Sequence, residues 1–156
     1  MRRAILSVLA GYVAMVAMTL PVFGIVYWVP DFVFEKGTVE ASLTFSLLTI
    51  ICGFLGAIVG GAVARRVAQG KRVPVLGLAG VVLALGVGMA VAECFEEAPS
   101  PLSREEIESL SVDERLKRAR EPTWYRFLTP CVGGLGIAVG GGLLRRRRGD
   151  SNPPDQ

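Results

Sequence analysis

The chain has 156 residues, of which 51% are hydrophobic and only 20% charged, with 19 glycines and a mean hydropathy of +0.48. That balance lies outside the range of a soluble domain and makes lipid the relevant solvent. The formal charge of +3 does not mark a nucleic-acid binder, because Lys and Arg abut the ends of apolar stretches and form no stripe on a soluble surface.

Four stretches carry no charge: Ala4 to Pro30, Ala41 to Ala64, Val73 to Ala92 and Phe127 to Leu144. A hydrocarbon core about 30 Å thick takes about 20 helical residues at a rise of about 1.5 Å each. Spans are therefore expected at about 4–29, 41–64, 73–92 and 127–144, the last being short and diluted by glycine. The expected fold is an all-α membrane protein with four transmembrane helices in an antiparallel bundle. It forms one domain over residues 1–148, with an outer loop at 93–126 and a disordered cytoplasmic tail at 149–156 that carries Pro153 and Pro154.

Charge sets the orientation, since Lys and Arg next to a span resist translocation. Arg2 and Arg3 precede the first span, Arg65, Arg66, Lys71 and Arg72 fill the connection between the second and third, and Arg145 to Arg148 follow the fourth. These segments hold 10 basic and 2 acidic residues, against 7 basic and 12 acidic in the other two loops. Both termini are accordingly placed in the cytoplasm of a cell inner or plasma membrane. If the fourth stretch did not cross, four consecutive arginines would be left outside.

Arg2 and Arg3 followed by an apolar run resemble a secretory signal, but the run continues for 27 uncharged residues without a convincing A-x-A cleavage site, so an uncleaved anchor is expected. Pro21 removes a backbone hydrogen bond in its outer half and predicts a kink. Tyr27 and Trp28 close this span and Trp124 and Tyr125 open the fourth, which puts both tryptophans at one interface.

The first outer loop, Asp31 to Glu40, has a turn-like centre between β-favouring residues from Phe32 to Val39 and predicts a small hairpin. The inner connection from Arg65 to Arg72 is short and predicts an antiparallel hairpin of the second and third spans. In the second outer loop, Ser103 with Glu106 and Ser111 with Glu114 are capping-box patterns that announce two short helices, with Pro122 stopping the second. Ile107, Leu110, Val112 and Leu116 give these a weak apolar face.

Small residues let helices pack closely in lipid, where the hydrophobic drive for association is largely lost. On the second span Ser42, Ser46, Thr49, Gly53, Gly56 and Gly60 recur at three or four residues, and Gly56 to Gly60 is a formal GxxxG. On the third, Gly80, Ala84 and Gly88 repeat at four, as do Gly134, Ala138 and Gly142 on the fourth. These three faces are expected to meet within one bundle, with a homo-oligomer contact as the alternative.

No catalytic or cofactor-binding set is visible. Three cysteines without histidine or paired spacing lack the ligands of structural zinc or c-type haem. Apart from phenols and thiols, no ionisable residue falls inside an uncharged stretch, which disfavours a proton-coupled transporter. The hydroxyls of the second span are expected to bond their own backbone. Cys94 and Cys131 are candidates for a disulfide at similar depth, against the simpler reading of two free thiols, and Cys52 lies mid-span. Glu93, Glu96 and Glu97 form a carboxylate cluster, better read as a solvated loop than as a cation site. The cytoplasmic arginines can attract anionic lipid, although topology already explains them.

The opening Met1-Arg2-Arg3-Ala4-Ile5-Leu6, the second span's ending Gly60-Gly61-Ala62-Val63-Ala64-Arg65-Arg66 and a glycine-rich last span ending in arginines resemble small four-pass bacterial inner-membrane proteins of unassigned function. The resemblance implies architecture and carries no catalytic residue. A structural or accessory membrane component is expected, working against a membrane-protein partner or as a homo-oligomer in the bilayer. The alternative is an oligomeric small-solute transporter or channel.

Overall fold

The structure, a computed structural model, describes residues 2–35, 38–95, 102–119 and 123–144. Seven helices stand among them: α1 (Arg2–Trp28), α2 (Pro30–Val33), α3 (Leu43–Val67), α4 (Val73–Cys94), α5 (Arg104–Ser109), α6 (Val112–Arg118) and α7 (Thr123–Gly140). Among the described residues three segments are long and apolar enough to cross a membrane: Arg2–Val22, Leu43–Val67 and Val73–Cys94. At most 28% of each apolar window is buried, and Leu6, Val13, Leu47, Leu55, Leu76 and Leu85 stand exposed along them. Such a surface is stable where the solvent is itself apolar, and the chain is a membrane protein.

Local chemistry fixes the helix ends. Ser42, read from sequence as part of a small-residue stripe, is the N-cap of α3: its Oγ accepts from the Phe45 amide at 3.2 Å and donates to the Phe32 carbonyl at 2.7 Å. At the other end, Gly70 N–H bonds the Arg65 carbonyl at 2.9 Å and Gln69 N–H the Arg66 carbonyl at 3.0 Å. Gln69 takes the left-handed position of this Schellman turn, with φ 54°. The end of α7 repeats the motif with glycine in that place: Gly142 has φ 63°, and the Leu143 and Gly142 amides bond Ala138 and Val139 carbonyls at 2.9 Å each. The fourth helix therefore occupies Thr123–Gly140 instead of 127–144. Gly142 terminates it, and the space a side chain would take there is filled by the Arg65 guanidinium of α3.

At one end of the molecule lie Trp28, Glu93 and Trp124, and at the other Arg2, Arg65 and Lys71; these are called here the tryptophan end and the arginine end. The long helices run between them. A Cβ built on Gly60 would lie 2.7 Å from the Gly11 carbonyl oxygen, and one on Gly56 3.3 Å from that of Met15, so α1 and α3 cross antiparallel, backbone against backbone. Against α7, however, α3 runs parallel: Thr49 meets Tyr125, Ala57 meets Gly136 and Gly61 meets Gly141. Antiparallel to α7, α4 sets Gly86 on Pro130 and Val75 on Gly141. The hairpin expected of the second and third spans is thus a connection more than a packed pair, for α3 makes its main contacts with α1 and α7 and few with α4.

The core lies in the arginine half. Ala57, Ala64, Val75, Leu78 and Ile137 are each 0% exposed and touch one another. At the tryptophan end, the small hairpin expected from Phe32 to Val39 is reduced to an isolated antiparallel bridge between Phe34 and Ala41, because Pro30–Val33 coils as α2. Val33 and Phe34 are buried there against Phe45 and Ala119, which ties the two connecting segments of this end together.

Candidate functional site

Helices of unequal contact leave a gap. α1 approaches α4 in the arginine half, where Leu78 meets Gly11 and Val8 meets Gly77. Toward the tryptophan end the four long helices line a partly open chamber of about 360 Å³. Its wall is mostly apolar, with Met15 from α1, Phe54 from α3, Met89 from α4 and Pro130 from α7. Gly53 borders it too. Nothing lies within 4 Å of a Cβ built on this glycine, so a residue expected at a helix contact faces empty space.

Pro130, buried inside α7, packs its ring against Gly86. Lacking an N–H, it gives no hydrogen bond to the carbonyl of Arg126 one turn earlier. Arg126 in turn holds Glu93: Nε lies 3.0 Å from Glu93 Oε2, with the side chains 21% and 39% exposed respectively. Buried as it is, Nε does not aim its hydrogen at that oxygen, so the contact is an ion pair without a hydrogen bond at this atom. Beside it Thr49 Oγ1 meets the Tyr125 hydroxyl at 2.8 Å. Thr49 Oγ1 also lies within donating distance of its own helix backbone, at 2.9 Å from the Ser46 carbonyl and 3.1 Å from that of Phe45.

The ion pair is unfavourably placed for each helix by itself. Glu93 stands in the last turn of α4, near the partial negative end of its dipole, and Arg126 in the first turn of α7, near the partial positive end. Each placement opposes stability by about 0.3–1 kcal/mol in isolation, and their mutual attraction offsets both. Sequence reading ended the spans at the last uncharged residue and so left both groups in the loop. The available signal was that opposite charges bound the facing ends of two consecutive apolar stretches.

The glycine faces are only partly joined. Gly56 and Gly60 press on α1, while Gly134 takes Leu83 of α4 against it, 3.1 Å from its built Cβ. Gly80 and Gly88 have nothing within 4 Å, and Ala84 is exposed beside them, so the four-residue repeat of α4 points away from its neighbours. α4 is instead joined through Val75, Leu78 and Gly86, on a different stripe. Unforeseen contacts carry much of the packing: Gly11 lies against Gly60, Gly136 against Phe54 and Ala57, Gly140 against Ile58, and Gly61 against Ile137. Ala138 is half-buried.

Cys94 and Cys131 are free thiols and both exposed. Pro130 seats on Gly86, two turns before Cys94, so Cys131 lies roughly 12 Å deeper along the helices. Cys52 is also free and half-buried. Glu96, Glu97, Arg145–Arg148 and the tail 149–156 fall outside the described residues. Arg65, counted in the sequence as a topology charge, has a second use: its Nη1 donates to the Gly141 carbonyl at 3.0 Å and caps α7.

Both capping boxes form in the segment before α7. Ser103 N–H donates to Glu106 at 2.8 Å and Ser111 N–H to Glu114 at 2.9 Å, with the reciprocal bonds to the serine hydroxyls at 3.3 Å. These backbone and hydroxyl donors hold both carboxyls below the usual carboxylate range. Arg115 joins the two helices by donating from Nε and Nη2 to the Ile107 carbonyl, at 3.1 and 2.8 Å.

Comparison with protein-family models, with curated proteins and with solved structures finds no match to the chain.

Proposed function

We propose that this chain is a four-pass integral membrane protein, with both termini in the cytoplasm, that serves as a structural or accessory component of a membrane assembly. α7 is the fourth crossing in this reading. It has 18 residues and lies alongside α3 from Tyr125 to Gly141, and the stretch from Phe127 to Leu144 carries no charge. The arginine end faces the cytoplasm, in keeping with the charge rule, and the tryptophan end, with its chamber, faces outward.

The observation that carries an accessory role over transport is the blind end of the chamber. Beneath it Ala57, Ala64, Val75, Leu78 and Ile137 are closed to solvent, and a path for ions or solutes needs a wetted route lined by polar groups. Glu93 and Arg126, the charges nearest the chamber, neutralise each other at its mouth. Reconstitution into liposomes with a panel of ions and small solutes, paired with native mass spectrometry from mild detergent, tests the reading. No flux and a heteromeric partner are expected; flux through a symmetric homo-oligomer would replace the accessory role with transport.

A further inference from the structure

α1 and α4 begin side by side at the arginine end, since they run parallel and touch there. Between their first turns and the end of α3 lies a second cavity of about 480 Å³, lined by Arg2, Arg3, Val67, Gln69, Lys71 and Pro74 among others. Among the described residues three cations line it and no carboxylate does.

The backbone adds to the same field. Two helix N termini, each a partial positive charge, converge on it from α1 and α4. The N-cap of α4, Arg72, makes no side-chain capping bond, and Pro74, which lines the cavity, has no N–H, so α4 contributes the positive end of its dipole there. The negative end of α3 is meanwhile occupied by its own turn, where the Ala64, Arg65 and Arg66 carbonyls accept from Ala68, Gly70 and Gln69. Gln69 is held in the left-handed conformation that closes this turn, and its Oε1 accepts from Arg3 Nη1 at 3.4 Å, so the two side chains meet where both line the cavity. Cations and helix N termini that meet at a cavity with no carboxylate among its described lining residues form the arrangement that recognises an anion with several acceptor oxygens.

We propose that this cavity binds a phosphate group, supplied in the membrane by the headgroup of an acidic phospholipid. The shape separates this from diffuse attraction to a charged surface. Arg66 stands on the same end of α3 with the same charge, yet it does not line the cavity. Only the source of the phosphate rests on the membrane topology, and a measurement in detergent is indifferent to which end faces the cytoplasm.

The test uses the full chain in non-ionic detergent, titrated with phosphatidic acid, phosphatidylglycerol or phosphatidylcholine and read by native mass spectrometry. Phosphatidic acid and phosphatidylglycerol are expected to bind ahead of phosphatidylcholine, whose quaternary ammonium opposes the cations. Lys71→Gln should weaken phosphatidic acid binding about fivefold, the effect of one basic charge near an anionic headgroup. Lys71→Arg should retain binding, and Arg66→Gln should leave it unchanged. A protective effect of inorganic phosphate on thermal unfolding that requires Lys71, without a lipid adduct, would support the phosphate site and make free phosphate its source. Equal losses in Lys71→Gln and Arg66→Gln, or equal binding of phosphatidic acid and phosphatidylcholine, would overturn it.

Discussion

Neutralising either member of the Glu93–Arg126 pair should lower stability, while exchanging the two should not. At 39% and 21% exposure, the pair stands between exposed ion pairs, worth about 0–1 kcal/mol, and buried ones whose breakage costs about 3–5 kcal/mol. Glu93→Gln or Arg126→Gln is therefore expected to lower the unfolding free energy by about 2 kcal/mol. The double Gln variant should lose less than the two single losses together, because neither charge is then stranded. In the exchange Glu93→Arg with Arg126→Glu the attraction is rebuilt, and each charge now matches the dipole end beside it. Reversing the sign at both helix ends changes the balance by about 1 kcal/mol per end. Part of this is spent refitting the longer side chain on α4, so the exchanged protein should be at least as stable as the original and up to about 1 kcal/mol more so. Denaturant unfolding in detergent, followed by the fluorescence of Trp124 two residues from Arg126, measures all four variants. Single variants equal to the wild type, or an exchange no more stable than the singles, would refute the account.

Glycine substitutions should divide sharply by position. Gly60→Ala drives a methyl against the Gly11 backbone and should lose about 2 kcal/mol or more, while Gly80→Ala and Gly88→Ala meet open space and should gain up to about 1 kcal/mol from helix propensity; melting temperatures in one detergent compare them. The capping boxes predict a pH dependence. With folded-state values below the ordinary 4.5, Glu106 and Glu114 contribute fully above that pH, and the contribution fades as pH falls through their lowered values. Hydrogen exchange at the Ser103 and Ser111 amides, corrected for intrinsic rate, should retain protection down to pH 4.5 and lose it below, and loss already at higher pH would contradict the assignment.

What sequence alone made legible was whatever depends on near neighbours in the chain or on the solvent. The apolar runs set three membrane-length helices because lipid leaves the backbone no partner but itself. Both capping boxes could be read because a serine and a glutamate three residues apart complete them without outside help. Helix ends were less legible: Arg65, Arg66, Glu93 and Arg126 lie inside helices, since long charged side chains reach the interface from within a span.

Which faces meet was decided only in three dimensions. Gly80-Ala84-Gly88 and Gly56-Gly60 look alike as spacings, yet one faces outward and the other presses on α1, because spacing gives a face and says nothing of its rotation toward a neighbour. The parallel contact of α3 with α7 arises the same way, through Gly61, Gly136 and Gly140, whose missing side chains let two backbones approach. The chamber, its ion pair and the cation-lined cavity are gaps between elements far apart in the chain. Their contents are written in the residues, but their existence depends on where helices diverge, and only the assembled fold sets that.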